Sequence, residues 1–124
     1  MPIKIYEYKN CTTCQKALKF LDAEGVSYER RPIVEQPPTR AELEQMLLHL
    51  KNGGGSFKNL FNVSGQLYRE LGIAERLKGG MGEQEALDLL AKNGKLIKRP
   101  FLLADKTGVV GFKENLWRDL LNEF

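Results

Sequence analysis

Ile3 and Ile5 alternate with Lys4 and Tyr6 at the head of the chain, a two-residue period that predicts a short β-strand with two usable faces, ending near Tyr8. The period then changes. Cys14, Ala17, Leu18 and Leu21 fall at i, i+3, i+4 and i+7, which is one face of a helix, and Gly25 ends it. Val26 to Arg31 reads as a second strand. A strand, helix, strand run of this spacing predicts a crossover and hence a parallel pair.

Pro37 and Pro38 then break the chain, and Thr39 followed three residues later by Glu42 has the form of a capping box. A second helix is predicted over about Ala41 to Leu50. Asn52 to Gly55 is a flexible turn, and Gly53 to Gly55 reads as a mobile connector: the Lys-Ser or Lys-Thr of a phosphate loop does not follow it, and no strand precedes it. The stretch FKNLFNVSGQLYRELGIAERLKGG reads as short helical pieces punctuated by Gly65, Gly72 and Gly79. In it Phe57, Leu60, Phe61, Leu67 and Tyr68 are expected to form a small core against the sheet. A further helix spans Glu83 to Lys92 and closes at Asn93 and Gly94. Phe101 to Ala104 and Val109 to Phe112, joined by the polar DKTG turn, form a hairpin. Leu116, Trp117, Leu120 and Leu121 give a closing helix one apolar face. The order is therefore βαβ, a helical insert over about 39–95, then ββα: an α/β fold in which both ends of the chain share one mixed sheet.

The chain has 124 residues, about the length of one domain with one core. Residues 1–124 are read as that single domain. No stretch reaches the ~18 continuous apolar residues of a membrane span. The opening residues lack a secretory pattern, so a cytoplasmic location is expected. Net charge is +3, with Lys and Arg scattered, which hints at anionic partners but argues against direct nucleic-acid binding. Oligomerisation is not signalled, and a monomer is expected.

The two cysteines, Cys11 and Cys14, carry the chemistry. In a reducing cytoplasm a close pair is more often catalytic, redox-sensing or metal-binding than a structural staple. A structural zinc site needs about four ligands, and His49 is the sole histidine. His49 itself, near a helix end, is expected to cap carbonyls there. A redox pair and a coincidental core pair remain. If the first strand ends near Tyr8, Cys11 sits at the tip of the helix, where free N–H groups and the helix dipole favour a thiolate nucleophile. Cys14, one turn in and on the apolar face, suits a buried resolving thiol. Far away in sequence, LIKRPFLL places Lys98, Arg99 and Pro100 before the third strand. Proline there is compatible with a cis peptide, and Arg99 with an anion-binding role; an ordinary solvated basic loop is the competing reading. Asn10 either hydrogen-bonds into an anion loop or ends the strand.

NCTTCQKALKFLDAEGVSY, IVEQPPTRAEL, LFNVSGQLYRELG, LIKRPFLL and GVVGFKE, taken together, resemble the arsenate reductase (ArsC-like) family, a branch of the thioredoxin fold that also includes Spx-type transcriptional regulators. The resemblance covers essentially the whole chain. It implies a thioredoxin-like fold and aligns Cys11 with the family's catalytic cysteine, which attacks arsenate to form an adduct resolved by glutathione and glutaredoxin. Arg99 aligns with an oxyanion-holding arginine. Asn10, Thr12, Thr13, Arg99 and Pro100 are the substrate-binding candidates, with no bound cofactor or metal implied. The chain departs from the pattern at Gln15, at about Asn62 and at about Phe112, where the glutathione-dependent reductases carry further arginines. The added Cys14 points to the branch in which a C-x-x-C disulfide is reduced by thioredoxin or acts as a switch; in the Spx-type proteins that switch controls binding to the RNA polymerase α subunit.

Overall fold

The computed structural model describes residues 3–122. Four strands form one mixed sheet in the order β2-β1-β3-β4: β1 (Lys4–Glu7), β2 (Glu29–Pro32), β3 (Phe101–Leu103) and β4 (Gly108–Val110). β1 pairs with β2 in parallel and with β3 antiparallel, and β3 and β4 make the antiparallel hairpin. The helices are α1 (Thr12–Ala23), α2 (Arg40–Asn52), α3 (Gln66–Glu70), α4 (Ile73–Lys78), α5 (Glu83–Lys92) and α6 (Glu114–Leu121), with short 3-10 turns at Phe57–Leu60 and Gly94–Leu96. The chain therefore has the α/β, thioredoxin-like arrangement expected of it, with the helical insert between β2 and β3.

Strand alternation divides the interior in two. Ile5 and Leu102 face one side of the sheet, where they pack with Ala17, Leu18 and Leu21 of α1 and Trp117 of α6. Tyr6, Phe101 and Leu103 face the other side, against Leu43, Met46 and Leu47 of α2, Leu87 and Leu90 of α5, and Leu60 and Phe61 of the insert. A two-residue period can serve two cores because successive side chains leave the strand on opposite faces. Leu60 and Phe61 are fully buried in the insert-side core, while Phe57, Leu67 and Tyr68 lie partly buried at its margin.

Three local expectations are corrected. The second strand begins at Glu29 rather than Val26: its ladder starts where Glu29 meets Lys4, whereas Val26 and Tyr28 only pack against the α1-side core. On α6, Leu116 leaves the apolar face and is 45% exposed, while Trp117 is buried and donates its Nε1–H to the Gly111 carbonyl at 3.1 Å. Trp117 is the buried anchor of that helix, supported by the edge-on Phe112 ring 5.0 Å away, while Leu120 and Leu121 pack partly buried against the same core. The third is at His49, which lies against β4 rather than over the end of α2.

The capping box at Thr39 forms as its spacing requires. Thr39 Oγ1 accepts the Glu42 N–H at 3.1 Å and the Thr39 N–H donates to Glu42 Oε1 at 3.0 Å. Glu42 also ties α2 to the central strand, accepting from Tyr6 Oη at 2.7 Å and from Lys4 Nζ at 3.0 Å. Burial alone pushes the Glu42 carboxyl up, but the hydrogen bonds from Tyr6, Thr39 and Lys4 outweigh it and hold the group below its ordinary value of 4.5. A depressed carboxylate contributes stability above its unfolded pKa and loses it as pH falls through the folded one. Urea unfolding between about pH 6 and pH 3 is therefore expected to show an acid-side loss that Glu42→Gln flattens, with the variant less stable near neutrality. Parallel pH profiles for the two proteins would contradict this.

Candidate active site

The turn after β1 closes with the Cys11 N–H donating to the Tyr8 carbonyl at 3.0 Å, which brings Cys11 to the N-cap of α1 in extended conformation. Its Sγ accepts the Cys14 N–H at 3.2 Å. In that position a sulfur substitutes for the oxygen of a Ser or Asp cap, and negative charge on it faces the positive end of the helix. The N–H groups of Thr12 and Thr13, in the first turn, have no intrahelical acceptor. Both cysteines are free; Cys11 is half-buried and Cys14 is fully buried. Burial, reinforced by hydrogen bonding to Cys11, pushes the Cys14 thiol up to about 12. Cys14 therefore stays protonated, beneath a sulfur that its own backbone N–H supports.

Arg99 reaches this point from the start of β3. Its guanidinium lies 4.5 Å above the centre of the Tyr8 ring, and Nη1 is buried with no acceptor among the described residues. The Arg99–Pro100 peptide is cis, and Pro100 is buried. An isolated antiparallel bridge between Phe61 and Ile97, with the Lys98 N–H donating to the Leu60 carbonyl at 2.7 Å, fastens the insert to the approach to Arg99. Gln15 is occupied locally, its Nε2 donating to the Lys9 carbonyl at 3.1 Å.

An open cleft of about 1250 Å³ runs from Cys11 and Thr13 past Arg99 and along β4. The structure thus brings together Cys11, Thr13 and Arg99 of the candidate residues. Cys14 and Pro100 lie behind them. Asn10 and Thr12 are exposed and do not line the cleft. Asn62 lines it, and so does Phe112.

Lys58 and Lys106 also line the cleft, and sequence reasoning missed both. One comes from a 3-10 turn and the other from a hairpin turn, so no local spacing connects them. His49 corrects the capping expectation: its Nε2 is buried without a partner among the described residues, and burial lowers its pKa, so the ring is a neutral element of the cleft wall. Its Cδ2 comes within 3.0 Å of where a Cβ on Gly108 would stand, which places it against β4 rather than over the helix's final carbonyls.

Comparison with known proteins bears on the fold and the family. The chain is 40% identical over 119 residues to the uncharacterised protein YusI of Bacillus subtilis (strain 168), covering 96% of this chain and 98% of that one. The global transcriptional regulator Spx of Streptococcus pyogenes serotype M1 is 27% identical over 121 residues, covering 97% of this chain and 85% of Spx. Among solved structures, that of a possible arsenate reductase from Streptococcus mutans UA159 superposes with a TM-score of 0.82 at 36% identity, covering 98% of each chain. The ArsC family's sequence model matches residues 6–120, and with the cysteine-capped helix and the fold in place the chain belongs to the ArsC family.

Proposed function

We propose that the protein is a thiol-dependent oxidoreductase in which Cys11 is the nucleophile and Cys14 the resolving thiol. The observation that carries this reading is the stacked arrangement at the start of α1: a half-buried sulfur holding a helix N–H, with a buried, protonated thiol one turn beneath it. On an oxyanion such as arsenate, Cys11 would displace one hydroxyl, released as water. Attack on Cys11 Sγ by a second thiol would then form a disulfide and leave the sulfur–arsenic electron pair on arsenic as arsenite. On a disulfide, the same two sulfurs exchange in sequence. Glutathione with glutaredoxin, or thioredoxin, would return the pair to the dithiol, with no bound cofactor or metal needed.

One guanidinium favours the disulfide branch. Arg99 Nη1 is a buried donor that an anion would satisfy. Gln15, however, is spent on the Lys9 carbonyl, and neither Asn62 nor Phe112 can supply the fixed fork of an arginine. The reading is tested by measuring turnover of arsenate and of a disulfide with the reductant varied. If Arg99 holds the anion, Arg99→Lys should lower kcat/KM for arsenate by about 10- to 100-fold, the range of a charge-assisted hydrogen bond. It should change disulfide turnover much less. An equal loss on both substrates would assign Arg99 to the thiols rather than the anion.

A second reading, a redox-switched regulator associating with the RNA polymerase α subunit, is favoured by the likeness to Spx and by exposed Val63 and Leu116 beside the cleft. It predicts association that changes when Cys11 and Cys14 oxidise, without turnover. A pull-down with reduced and oxidised protein separates the two.

A further inference from the structure

The two free edges of the sheet differ in kind. β2 carries Arg30, Arg31 and Pro32 along its length, the charge and proline that commonly discourage edge pairing. β4 reads Gly-Val-Val, with neither. Its backbone is also half unpaired. Gly111 donates to the Pro100 carbonyl and Ala104 to the Thr107 carbonyl, so by antiparallel alternation Val109 bonds to Leu102, while the N–H and C=O groups of Gly108 and Val110 point away from β3. Both residues are half-exposed, and both line the cleft that leads to Cys11.

The charge of that cleft is one-sided. Lys58, Lys98, Arg99, Lys106 and Lys113 line it; among the described residues no carboxylate does, and none of the five joins an ion pair there. Size decides what this serves. Small-molecule sites run from roughly 300 to 1,000 Å³, so a cleft of about 1250 Å³ is far larger than a single oxyanion needs. A three-residue strand offers about 10 Å of edge, enough to pair a short extended peptide.

We infer that the β4 edge is a docking groove for an extended acidic segment of a partner protein, which adds as a further strand and presents its disulfide-bonded cysteine to Cys11. This rests on Cys11 and Cys14 acting as the thiol pair proposed above. The Cys11 thiolate attacks the partner's disulfide, joining Cys11 to the partner cysteine and releasing the other sulfur as a thiolate. That thiolate takes the Cys14 proton. Cys14 then attacks Cys11 Sγ, freeing the partner cysteine as a thiolate and leaving the Cys11–Cys14 disulfide, which an external dithiol reduces. The partner's disulfide has gained the two electrons that the Cys11–Cys14 pair lost. Main-chain pairing supplies affinity and the lysines select for acid, as in other strand-addition complexes.

The test uses hexapeptides containing one cysteine in mixed disulfide with a chromophoric thiol, in acidic, neutral and basic versions, plus the acidic one N-methylated at alternate residues. Bis(2-hydroxyethyl) disulfide and glutathione disulfide are run alongside. The acidic peptide should exceed the neutral one in kcat/KM by about tenfold at low salt, an advantage that salt erodes. N-methylation should remove most of its rate, and Lys58→Ala with Lys106→Ala should narrow the acidic-to-neutral ratio. Equal rates for all peptides, or a glutathione disulfide rate matching the acidic peptide, with Cys11-dependent reduction of the hydroxyethyl compound intact, would overturn the groove alone. Failure to reduce any disulfide would overturn the thiol reading and the groove with it.

Discussion

Cys11→Ser is expected to abolish thiol-dependent turnover, with a loss on the order of 10⁴-fold or more, as for removal of a covalent nucleophile. Cys14→Ser should behave differently. Because Cys14 is buried, with a thiol raised to about 12, it does not compete with Cys11 for the first attack. The Cys14→Ser protein should therefore complete the first half-reaction and stall as a Cys11 adduct, seen as an added mass in the intact protein. Turnover would persist only as far as an external thiol replaces the resolving step. A Cys14→Ser protein that turns over at the native rate with thioredoxin alone would remove Cys14 from the mechanism. One in which the adduct forms on no residue would remove Cys11. The Cys14 backbone N–H that caps on Cys11 Sγ at 3.2 Å survives the Cys14 substitution, so the comparison isolates the side-chain sulfur.

Gly94→Ala is expected to cost roughly 3 kcal/mol or more, at or above the upper end of ordinary overpacking. A Cβ at Gly94 would stand 1.9 Å from the Ile33 carbonyl oxygen and 2.8 Å from its carbon. Both are backbone atoms, with no flexible side chain to give way. Gly94 is buried at the start of a 3-10 turn whose last residue, Leu96, is also buried, and Ile97, next along, carries the bridge to Phe61. Displacing this turn moves the segment that delivers Arg99. Gly53→Ala, where a Cβ would find only ordinary contact with the Leu50 carbonyl at 3.6 Å, should stay within about 0.5 kcal/mol. Urea unfolding of the two variants beside the parent measures the contrast. Equal stabilities would mean that residues 33 and 94 separate without cost.

What could be read before the structure was local periodicity. Ile3, Ile5 and Tyr6 announce a strand with two faces, and Cys14 falls with Ala17 and Leu18 on the buried side of α1. Thr39 and Glu42 mark the entry to α2 by a reciprocal bond that depends on their spacing alone. Readings failed where a residue's place is decided across the fold. Val26 and Tyr28 are apolar enough for a strand, but pairing waits for Glu29 to reach Lys4. Leu116 matches the apolar spacing of α6, yet it turns toward the cleft, because Trp117 fills the space against α1 and β3. The site divides in the same way. Cys11 and Cys14 are neighbours in sequence and declare themselves; Lys58 and Lys106 share a cleft only because the insert folds back on the hairpin.

The pairing of β1 with β3 has a consequence for biosynthesis. Lys4 meets Leu103 and Tyr6 meets Phe101, so the centre of the sheet joins segments far apart in the chain and cannot close until the later one has left the ribosome. Non-local pairings of this kind are made late and slowly. Until then the nascent chain displays Cys11 and Cys14 without Arg99 beside them. Cys11 and Cys14 are therefore translated well before Arg99, the cation that the finished sheet sets beside them.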